Sequence, residues 1–545
     1  MKKYVVGIDF GTLSARCIVA DAYSGEELSE ATFSYPHKVM DKELPSGKRL
    51  APDSAYQHPQ DYLDALGTVV KDAVAKANVR PDEIAAMGID FTSCTVLAID
   101  ENGTPICFLP EFENNEHAYV KLWKHHTAQK EADDITELAK ARGEKWINMY
   151  GGKVSSEWLF PKILETLRKA PEVYLATDRF IEAADWLSLV LTGEETHAVA
   201  FANYKALYTE QGYPDNAFLT ALDPRLDGIV GTKVSERIRK ISETAGSLNS
   251  RGAALTGLLV GTPLALPIID AHSALPALGI SSDGEMVMIL GTSSCHILNS
   301  VDGAFIEGVL GYAKDSVFEG VYTYEAAQAA VGDSFDWFVS NYVPARYFEE
   351  ANARGMNIHA LLREKASRLG AGESGLLALD WLNGNRSVLN RSDLSGMILG
   401  LDLGTRPEEI YRAIIESTAY GARMILENYE RGGIKIKRVC AAGGIAQKDK
   451  MMMQIYADVL GRDIEIAGAT QAAALGSAIN ATVAAGIYEN ITDASKKLGR
   501  KSIATYTPNP DSQRIYDSLY AEYKTLHDLF GRNSDLMRKL KAMKK

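Results

Sequence analysis

Two short apolar segments near the start of the chain enclose a turn that holds glycine and hydroxyl side chains. Residues 4–10 and 16–20 have the length and the β-branched content of strands, and Gly11, Thr12 and Ser14 lie between them. A Walker loop or a dinucleotide-binding turn leads into a helix, whereas this turn leads into a second strand. The pattern therefore predicts a strand–turn–strand corner and argues against both of those nucleotide-binding motifs.

The corner carries one carboxylate, Asp9, just before the turn. Backbone N–H groups and hydroxyls at such a turn form a small concavity that binds anions. A carboxylate supplies the hard oxygen that Mg²⁺ prefers, either directly or through metal-bound water. We therefore predict a site for a nucleotide phosphate and its Mg²⁺. An ordinary hairpin with a solvated aspartate is the competing interpretation.

The same pattern recurs at residues 87–100 and again at 284–300. The first and third copies share Gly-Thr-x-Ser at the turn, and Gly291 stands 280 positions after Gly11. This spacing predicts two similar halves, each built on a hairpin corner, that face each other across a cleft and hold a nucleotide between them. Chance similarity between short Gly-Thr turns is the alternative.

Length and composition limit the class of protein. A chain of 545 residues is too long for one hydrophobic core, so we predict a first domain over residues 1–280 and a second over 281–545 that ends in a helical tail. The net charge of −13 and the lack of a basic stripe argue against nucleic acid as a partner.

Cysteine usage and hydropathy predict a cytoplasmic protein. The five cysteines are an odd number, lie far apart and form no Cys-x-x-Cys motif, which is typical of reduced thiols rather than of disulfides or a zinc site. The longest apolar run, residues 253–269, is interrupted by glycines and prolines. We therefore expect no membrane-spanning segment and no membrane partner.

Two further places have the chemistry of a site. An apolar strand ends on Asp270, and open α/β sheets place their reactive groups at the carboxyl ends of strands. A helix N-cap would look the same in sequence and stays open as an alternative. Later, a strand leads into Gly443 and Gly444, and paired glycines let a flat ligand such as adenine approach the backbone.

Two other motifs are excluded by what surrounds them. Residues 370–375 match Gly-x-Gly-x-x-Gly, but a helical segment precedes them and a strand-like one follows, the reverse of a dinucleotide-binding unit. Asp402-Leu-Gly-Thr405 resembles the opening motif, yet Glu408 follows Thr405 at the spacing of a capping box. We predict a helix start there rather than a second metal site.

Taken in order, the segment from Asp9 to Arg16, the turn at Gly291–Ser293, Asp270 and the Gly443–Gly444 turn resemble the FGGY carbohydrate kinases over nearly the whole chain. The resemblance implies an α/β fold of two actin/hexokinase/Hsp70-like (ribonuclease H-like) domains that flank a catalytic cleft. It also implies ATP-dependent phosphorylation of a small sugar, with ATP and Mg²⁺ as cofactors.

The resemblance assigns roles residue by residue. Asp270 would be the general base, and Asp9 would hold Mg²⁺. The phosphates would be bound by Gly11, Thr12, Ser14, Arg16, Gly291, Thr292 and Ser293. The adenosine pocket would be lined by Gly443, Gly444, Ala446 and Gln447. The sugar would be bound by Ser93, Cys94, Trp123, Lys205, Asp270 and Glu325.

Within the family, the segments at 118–126 and 155–162 resemble the branch that phosphorylates L-ribulose. This implies conversion of L-ribulose to L-ribulose 5-phosphate in L-arabinose catabolism. A kinase for D-ribulose, ribitol or xylulose would keep every nucleotide motif, and an actin- or Hsp70-like ATPase is the alternative from another class. The sequence leaves the oligomeric state open, with a homodimer as one possibility.

Overall fold

The computed structural model describes residues 3–543 and consists of two compact units. The first unit contains the chain up to Ser281 together with Tyr312–Thr323 and Gln471–Arg500. The second contains Ser282–Gly311, Tyr324–Thr470 and the chain from Lys501 onward. The first continuous segment of the first unit ends at Ser281, and two later segments of the chain also belong to that unit.

The strands, numbered in chain order, are β1 (Tyr4–Phe10), β2 (Ser14–Asp21), β3 (Glu27–Ser34), β4 (Tyr56–Gln57), β5 (Ile84–Phe91), β6 (Val96–Ile99), β7 (Val120–Lys121), β8 (Arg179–Glu182), β9 (His197–Ala198), β10 (Ile238–Arg239), β11 (Thr244–Ser247), β12 (Pro263–Ala265), β13 (Ile268–Ile269), β14 (Glu285–Leu290), β15 (Ser294–Ser300), β16 (Gly311–Lys314), β17 (Tyr322–Gln328), β18 (Leu377–Leu379), β19 (Met397–Leu399), β20 (Arg438–Ala442), β21 (Ile464–Ile466) and β22 (Ala504–Tyr506).

The α-helices are α1 (Pro59–Lys76), α2 (Gln129–Arg142), α3 (Leu159–Lys169), α4 (Pro171–Ala176), α5 (Ala183–Thr192), α6 (Val199–Lys205), α7 (Asn216–Leu222), α8 (Ile229–Thr232), α9 (Ser250–Thr256), α10 (Asp270–Ala277), α11 (Gly332–Tyr342), α12 (Ala345–Ala353), α13 (Ile358–Ala366), α14 (Pro407–Arg431), α15 (Gly444–Lys448), α16 (Lys450–Leu460), α17 (Ala472–Ala484), α18 (Ile491–Leu498), α19 (Pro510–Asp528) and α20 (Leu536–Met543).

The main sheet of the first unit has the strand order β11-β12-β5-β1-β2-β3, with β13 also paired to β5. Strands β1 and β2 form the predicted antiparallel corner, and β1 runs parallel to β5. Helix α17 packs on β1 and β5. A Cβ on Gly7 would lie 2.0 Å from the carbonyl oxygen of Ala474, so the strand approaches the helix backbone directly. This packing explains why the segment around α17 belongs to the first unit.

The second predicted corner, at residues 87–100, is not a hairpin. Strand β6 leaves the main sheet and pairs with β7 and β8 in a separate four-stranded sheet. The change of direction occurs at Cys94, whose φ of +58° is left-handed. The third corner is a hairpin as predicted, because β14 and β15 pair antiparallel.

In the second unit the strands β17-β15-β14-β20-β21-β22 follow one another in the sheet, and β14 runs parallel to β20. The helix predicted after Asp402 is present as α14, but its predicted capping box is wrong by one position. The backbone N–H of Arg406 donates to Glu409 at 2.6 Å, while Thr405 hydrogen-bonds to Asp402. Pro407 sets this start, because proline favours the first helical position, where its missing N–H costs nothing.

All five cysteines are free thiols, and Cys295 is the one that is partly exposed. Among residues 3–543, no helix is both long enough and apolar enough to cross a membrane.

A buried histidine ties α5 to β9 in the first unit. His197 lies 3.5 Å from Asp185 and 3.2 Å from Glu195. Burial alone would lower the pKa of His197, but hydrogen bonds and charge from both carboxylates outweigh it and raise the pKa to about 9. The imidazolium therefore stabilises the fold below pH ~6.5, and that contribution is lost as the pH rises through the folded pKa.

We expect the free energy of unfolding to fall by about 3 kcal/mol between pH 6.5 and 9 from this group, because one pKa unit corresponds to about 1.4 kcal/mol. Urea denaturation across this pH range measures the fall. The His197→Gln variant is the control, since its decline should be smaller by that amount. Parallel curves for the two proteins would contradict the assignment.

Candidate active site

Three aspartates lie at the carboxyl ends of neighbouring strands in the first unit. Asp9 and Asp90 are direct partners in the parallel register of β1 and β5. Strand β13 pairs Ile268 with Asp90 and Ile269 with Phe91, so Asp270 follows at the next position. The topology thus gathers three carboxylates at one edge of the sheet, where open α/β sheets place their chemistry.

Asp90 is fully buried, and the sequence motifs alone do not single it out. Burial raises its pKa well above the usual range, and the charge of Asp9 adds to the rise. Ser477 donates a hydrogen bond of 2.6 Å to one oxygen. Its surroundings therefore favour the protonated form of Asp90. The sequence does carry a signal that could have found Asp90. Gly-Ile-Asp-Phe occurs at residues 7–10 and again at 88–91, and the parallel pairing of β1 and β5 aligns the two copies.

Asp9 lies opposite Asp90 on the neighbouring strand β1. Burial raises its pKa, while a hydrogen bond with Asp90 and the charge of Arg16 oppose the rise. The Arg16 guanidinium is 3.5 Å from the carboxylate and half exposed. The charge of Arg16 and the hydrogen bond with Asp90 thus favour the ionised form of Asp9 against the effect of burial.

Asp270 is the first residue of helix α10, and Ile269 holds the N-cap position. The N-cap alternative is therefore wrong. The carboxylate accepts a hydrogen bond of 2.7 Å from the backbone N–H of Ala271, and the residue is half-buried. A carboxylate at a helix N-terminus is stabilised by the helix dipole.

The first turn is closed by its own backbone, because the N–H of Gly11 donates to the carbonyl of Ser14 at 3.0 Å. Thr12 accepts a hydrogen bond of 3.1 Å from the indole N–H of Trp123. The fold thus joins a residue predicted to bind phosphate to one predicted to bind sugar. Gly11, Thr12 and Ser14 are all partly exposed, as a binding turn requires.

The remaining sugar residues of the first unit lie around the turn that follows β5. Ser93 is half-buried, and Cys94 is buried with its left-handed φ. Lys205, at the end of α6, is mostly buried with its ammonium 5.5 Å from the ring centre of Tyr204. Burial raises the pKa of Cys94 to about 12 in spite of the nearby charge of Lys205. The charge of Lys205 thus acts on the turn that holds Cys94.

In the second unit, the Gly291–Ser293 turn and the Gly443–Gly444 turn follow adjacent parallel strands, β14 and β20. Gly443 has a φ of +96°, and a Cβ there would lie 2.4 Å from the carbonyl oxygen of Leu290, so only glycine fits. The carbonyl of Gly291 accepts from the N–H of Gly332 at 3.0 Å, which fixes the turn to the start of α11. Thr292 and Gly444 are exposed.

Three other residues of this unit that the sequence predicts to bind ligand differ in burial and in hydrogen bonding. Ala446 is buried within α15. The side-chain amide of Gln447 donates to the carbonyls of Ala467 and Ala469 at 3.3 and 3.1 Å, and this ties α15 to the chain after β21. Glu325 lies half-buried in β17, where its carbonyl accepts from the N–H of Leu310.

Two family models match the chain in succession. The N-terminal domain of the FGGY family of carbohydrate kinases matches residues 4–277, and the C-terminal domain of the same family matches residues 286–485. The chain belongs to the FGGY family of carbohydrate kinases. This FGGY kinase is therefore an enzyme that uses ATP, and the family, fold class and enzyme class predicted from the sequence are confirmed.

Curated relatives of this FGGY kinase are named ribulokinase. The protein from Bacillus licheniformis is 45% identical over 538 residues, covering 98% of both chains. The one from Halalkalibacterium halodurans is 46% identical over 549 residues, covering 99% of this chain and 98% of the relative. A ribulokinase from Mycolicibacterium smegmatis is 43% identical over 99% of this chain and 96% of its own.

Solved structures support the fold. A xylulose kinase from Lactobacillus acidophilus has a TM-score of 0.80 at 17% identity, covering 97% of this chain and 99% of its own. A Plasmodium falciparum glycerol kinase with ADP has a TM-score of 0.76 at 17% identity, covering 96% and 98%. At this identity the likeness establishes the shared architecture.

Proposed function

We propose that this kinase transfers the γ-phosphoryl group of ATP to the 5-hydroxyl of L-ribulose and forms L-ribulose 5-phosphate. The observation that carries the proposal is 43–46% identity to relatives named ribulokinase over almost the entire length of each chain. The proposal is also supported by residues 118–126 and 155–162, which resemble the family branch that phosphorylates L-ribulose.

Asp270 is proposed as the general base. Its carboxylate accepts the proton of the sugar hydroxyl as that oxygen forms a bond to the γ-phosphorus. The bond from phosphorus to the bridging oxygen of ADP breaks, and ADP leaves with that electron pair. Because the transition state of phosphoryl transfer is loose, positioning and charge neutralisation carry most of the catalysis.

Asp9 is proposed to hold Mg²⁺. Among residues 3–543, no three His, Cys, Asp or Glu side chains are grouped so as to hold a metal ion by themselves. This suits Mg²⁺, which is usually bound through one or two carboxylates, phosphates and retained waters. The carboxylate of Asp9, with Asp90 at the paired position of β5, provides that kind of donor set. When bound, Mg²⁺ would neutralise charge on the phosphates.

The phosphates are proposed to bind at Gly11, Thr12, Ser14 and Arg16 of the first unit and at Gly291, Thr292 and Ser293 of the second. The φ of +96° at Gly443, which only glycine fits, and the exposure of Gly444 support an adenosine site at that turn. Ala446 and Gln447 would support this turn from within α15, given their burial and backbone hydrogen bonds.

The sugar is proposed to bind through Ser93, Cys94, Trp123 and Lys205 of the first unit and Glu325 of the second. A ketopentose offers hydroxyls and one carbonyl, which an ammonium, a carboxylate and backbone groups can match with donors and acceptors. A site built to hydrogen-bond particular hydroxyls discriminates strongly against sugars that misplace them.

The proposed function is tested by ADP release over a panel of L-ribulose, D-ribulose, D-xylulose, L-xylulose and ribitol, with a sugar-free control. We expect the highest kcat/KM for L-ribulose and a rate without sugar that is lower by at least about 100-fold. A higher kcat/KM for another sugar would reassign the substrate. ATP hydrolysis that no sugar accelerates would overturn the proposal in favour of an actin- or Hsp70-like ATPase.

We also propose that the enzyme works in the cytoplasm. ATP is its phosphoryl donor, and its five free thiols suit a reducing compartment.

A further inference from the structure

The peptide group between Cys94 and Thr95 is held at both ends by buried side chains of opposite charge. Its carbonyl oxygen accepts a hydrogen bond from the ammonium of Lys162. Its N–H, which belongs to Thr95, donates to the carboxylate of Glu182 at 2.9 Å. Lys162 and Glu182 are 1% and 5% exposed. Both contacts act on one rigid peptide plane, so together they fix its orientation.

The ammonium of Lys162 also donates hydrogen bonds to a second segment of the chain. Its ammonium donates to the carbonyls of Lys121 and Leu122 at 3.1 and 2.9 Å. An ammonium has three protons, and the carbonyls of Cys94, Lys121 and Leu122 accept one each. Leu122 directly precedes Trp123, whose indole reaches the phosphate turn. One lysine on α3 thus links the turn after β5 to the strand that leads to Trp123.

The turn needs such support. Cys94 has a φ of +58°, a left-handed conformation that costs a side-chain-bearing residue about 1–2 kcal/mol. Strained backbone of this kind persists where the surroundings hold it in place. Burial lowers the pKa of Lys162 to about 8 and raises the pKa of Glu182 to about 7, and each charge opposes the other's shift. The charge of each side chain therefore favours the charged form of the other.

We propose that Lys162 and Glu182 are positioning residues that orient the backbone of the Ser93–Cys94 turn for sugar recognition. The inference rests on the proposed function, in which this turn binds the ketopentose. The two side chains act through the peptide they hold, and the sugar contacts belong to the turn itself.

A neighbouring lysine provides a matched comparison. Lys121 is also buried between β7 and α3, but its ammonium bonds Glu165 and Thr166 at 2.7 Å and the carbonyl of Lys162 at 3.2 Å. It makes none of the hydrogen bonds to the Cys94–Thr95 peptide. Loss of Lys121 should therefore lower stability without a specific effect on the sugar.

The test compares the KM values for sugar and for ATP in the full-length Lys162→Met, Glu182→Leu, Glu182→Gln and Lys121→Met variants. For Lys162→Met and Glu182→Leu we expect the sugar KM to rise at least tenfold while the ATP KM stays within twofold of wild type. The Glu182→Gln variant keeps an acceptor oxygen for the Thr95 N–H, so it should recover most of the sugar affinity. Lys121→Met should have a lower Tm with a sugar KM within twofold.

A sugar KM within twofold of wild type in folded Lys162→Met or Glu182→Leu would overturn the inference. An equal rise in both KM values would also overturn it, because that pattern indicates general loosening of the structure. Lys162→Met and Glu182→Leu each remove one of the two side chains that hold the Cys94–Thr95 peptide. If one of these variants does not fold, the other still tests the inference. All values are measured with the sugar that wild type turns over best. Failure of the wild type on every sugar would refute the proposed function, whereas unchanged variants would refute this inference alone.

Discussion

The Asp270→Asn variant should lose about 10²–10⁴-fold in kcat, the range that general-base help usually contributes. Asparagine keeps the size of the side chain and an oxygen that can accept from the N–H of Ala271, a hydrogen bond of 2.7 Å in the native protein. It removes the group that takes the sugar proton. Steady-state ADP release with saturating L-ribulose and ATP measures the loss.

Nucleotide binding should survive the same substitution. Asp270 belongs to the first unit, whereas the proposed adenosine turn at Gly443 belongs to the second. Calorimetric titration with a non-hydrolysable ATP analogue should give a Kd within about threefold of wild type. A kcat within tenfold of wild type would remove Asp270 from the role of base. A large loss of nucleotide affinity would show that the substitution acts through the fold.

The Gly476→Ala variant should be the most destabilised single-methyl variant of the first unit. A Cβ at Gly476 in α17 would lie 1.6 Å from the carbonyl oxygen of Ser273 in α10, and the obstacle is backbone that cannot rotate away. Overpacking of this kind typically costs about 1–3 kcal/mol and sometimes more, and we expect at least about 3 kcal/mol here. Urea denaturation monitored by tryptophan fluorescence measures the change.

Gly67→Ala is the matched control for that variant. Gly67 lies inside α1, and its added Cβ would meet its nearest neighbour at 3.7 Å. Alanine is the better helix former by about 1 kcal/mol, so this variant should be as stable as wild type or more so. A Gly476→Ala variant within about 1 kcal/mol of wild type would mean that α10 and α17 can separate easily. Since α10 begins at Asp270, any folded fraction of Gly476→Ala should also show a reduced kcat.

The features that sequence predicts best are local ones. The corners at residues 4–21 and 284–300 are hairpins because a glycine turn between two β-branched segments determines them within about 17 residues. The apolar run before Asp270 likewise places this residue at a strand end. The hairpin predicted at 87–100 is absent because β6 pairs with β7 and β8, which come later in the chain, instead of with β5.

The features that sequence misses depend on register and on distant packing. Asp90 becomes part of the site because β1 and β5 pair in register, which composition does not reveal. Helix α17 joins the first unit because Gly7, Gly88 and Gly476 allow close backbone contact. Lys162 is an ordinary helical lysine in sequence, and its burial against three carbonyls follows from tertiary structure.

The chemical identity of the product is the most direct test of the proposed reaction. The enzyme is incubated with Mg²⁺, ATP and L-ribulose, and the phosphorylated sugar is examined by phosphorus NMR with proton coupling. Phosphorylation at the 5-hydroxyl predicts a sugar-phosphate resonance split by two protons, formed in a one-to-one ratio with ADP. Because C1 of a ketopentose also carries two protons, a proton–phosphorus correlation spectrum assigns the coupled protons, and they should be those on C5. A phosphate on another carbon, or inorganic phosphate as the only new phosphorus species beside ADP, would contradict it.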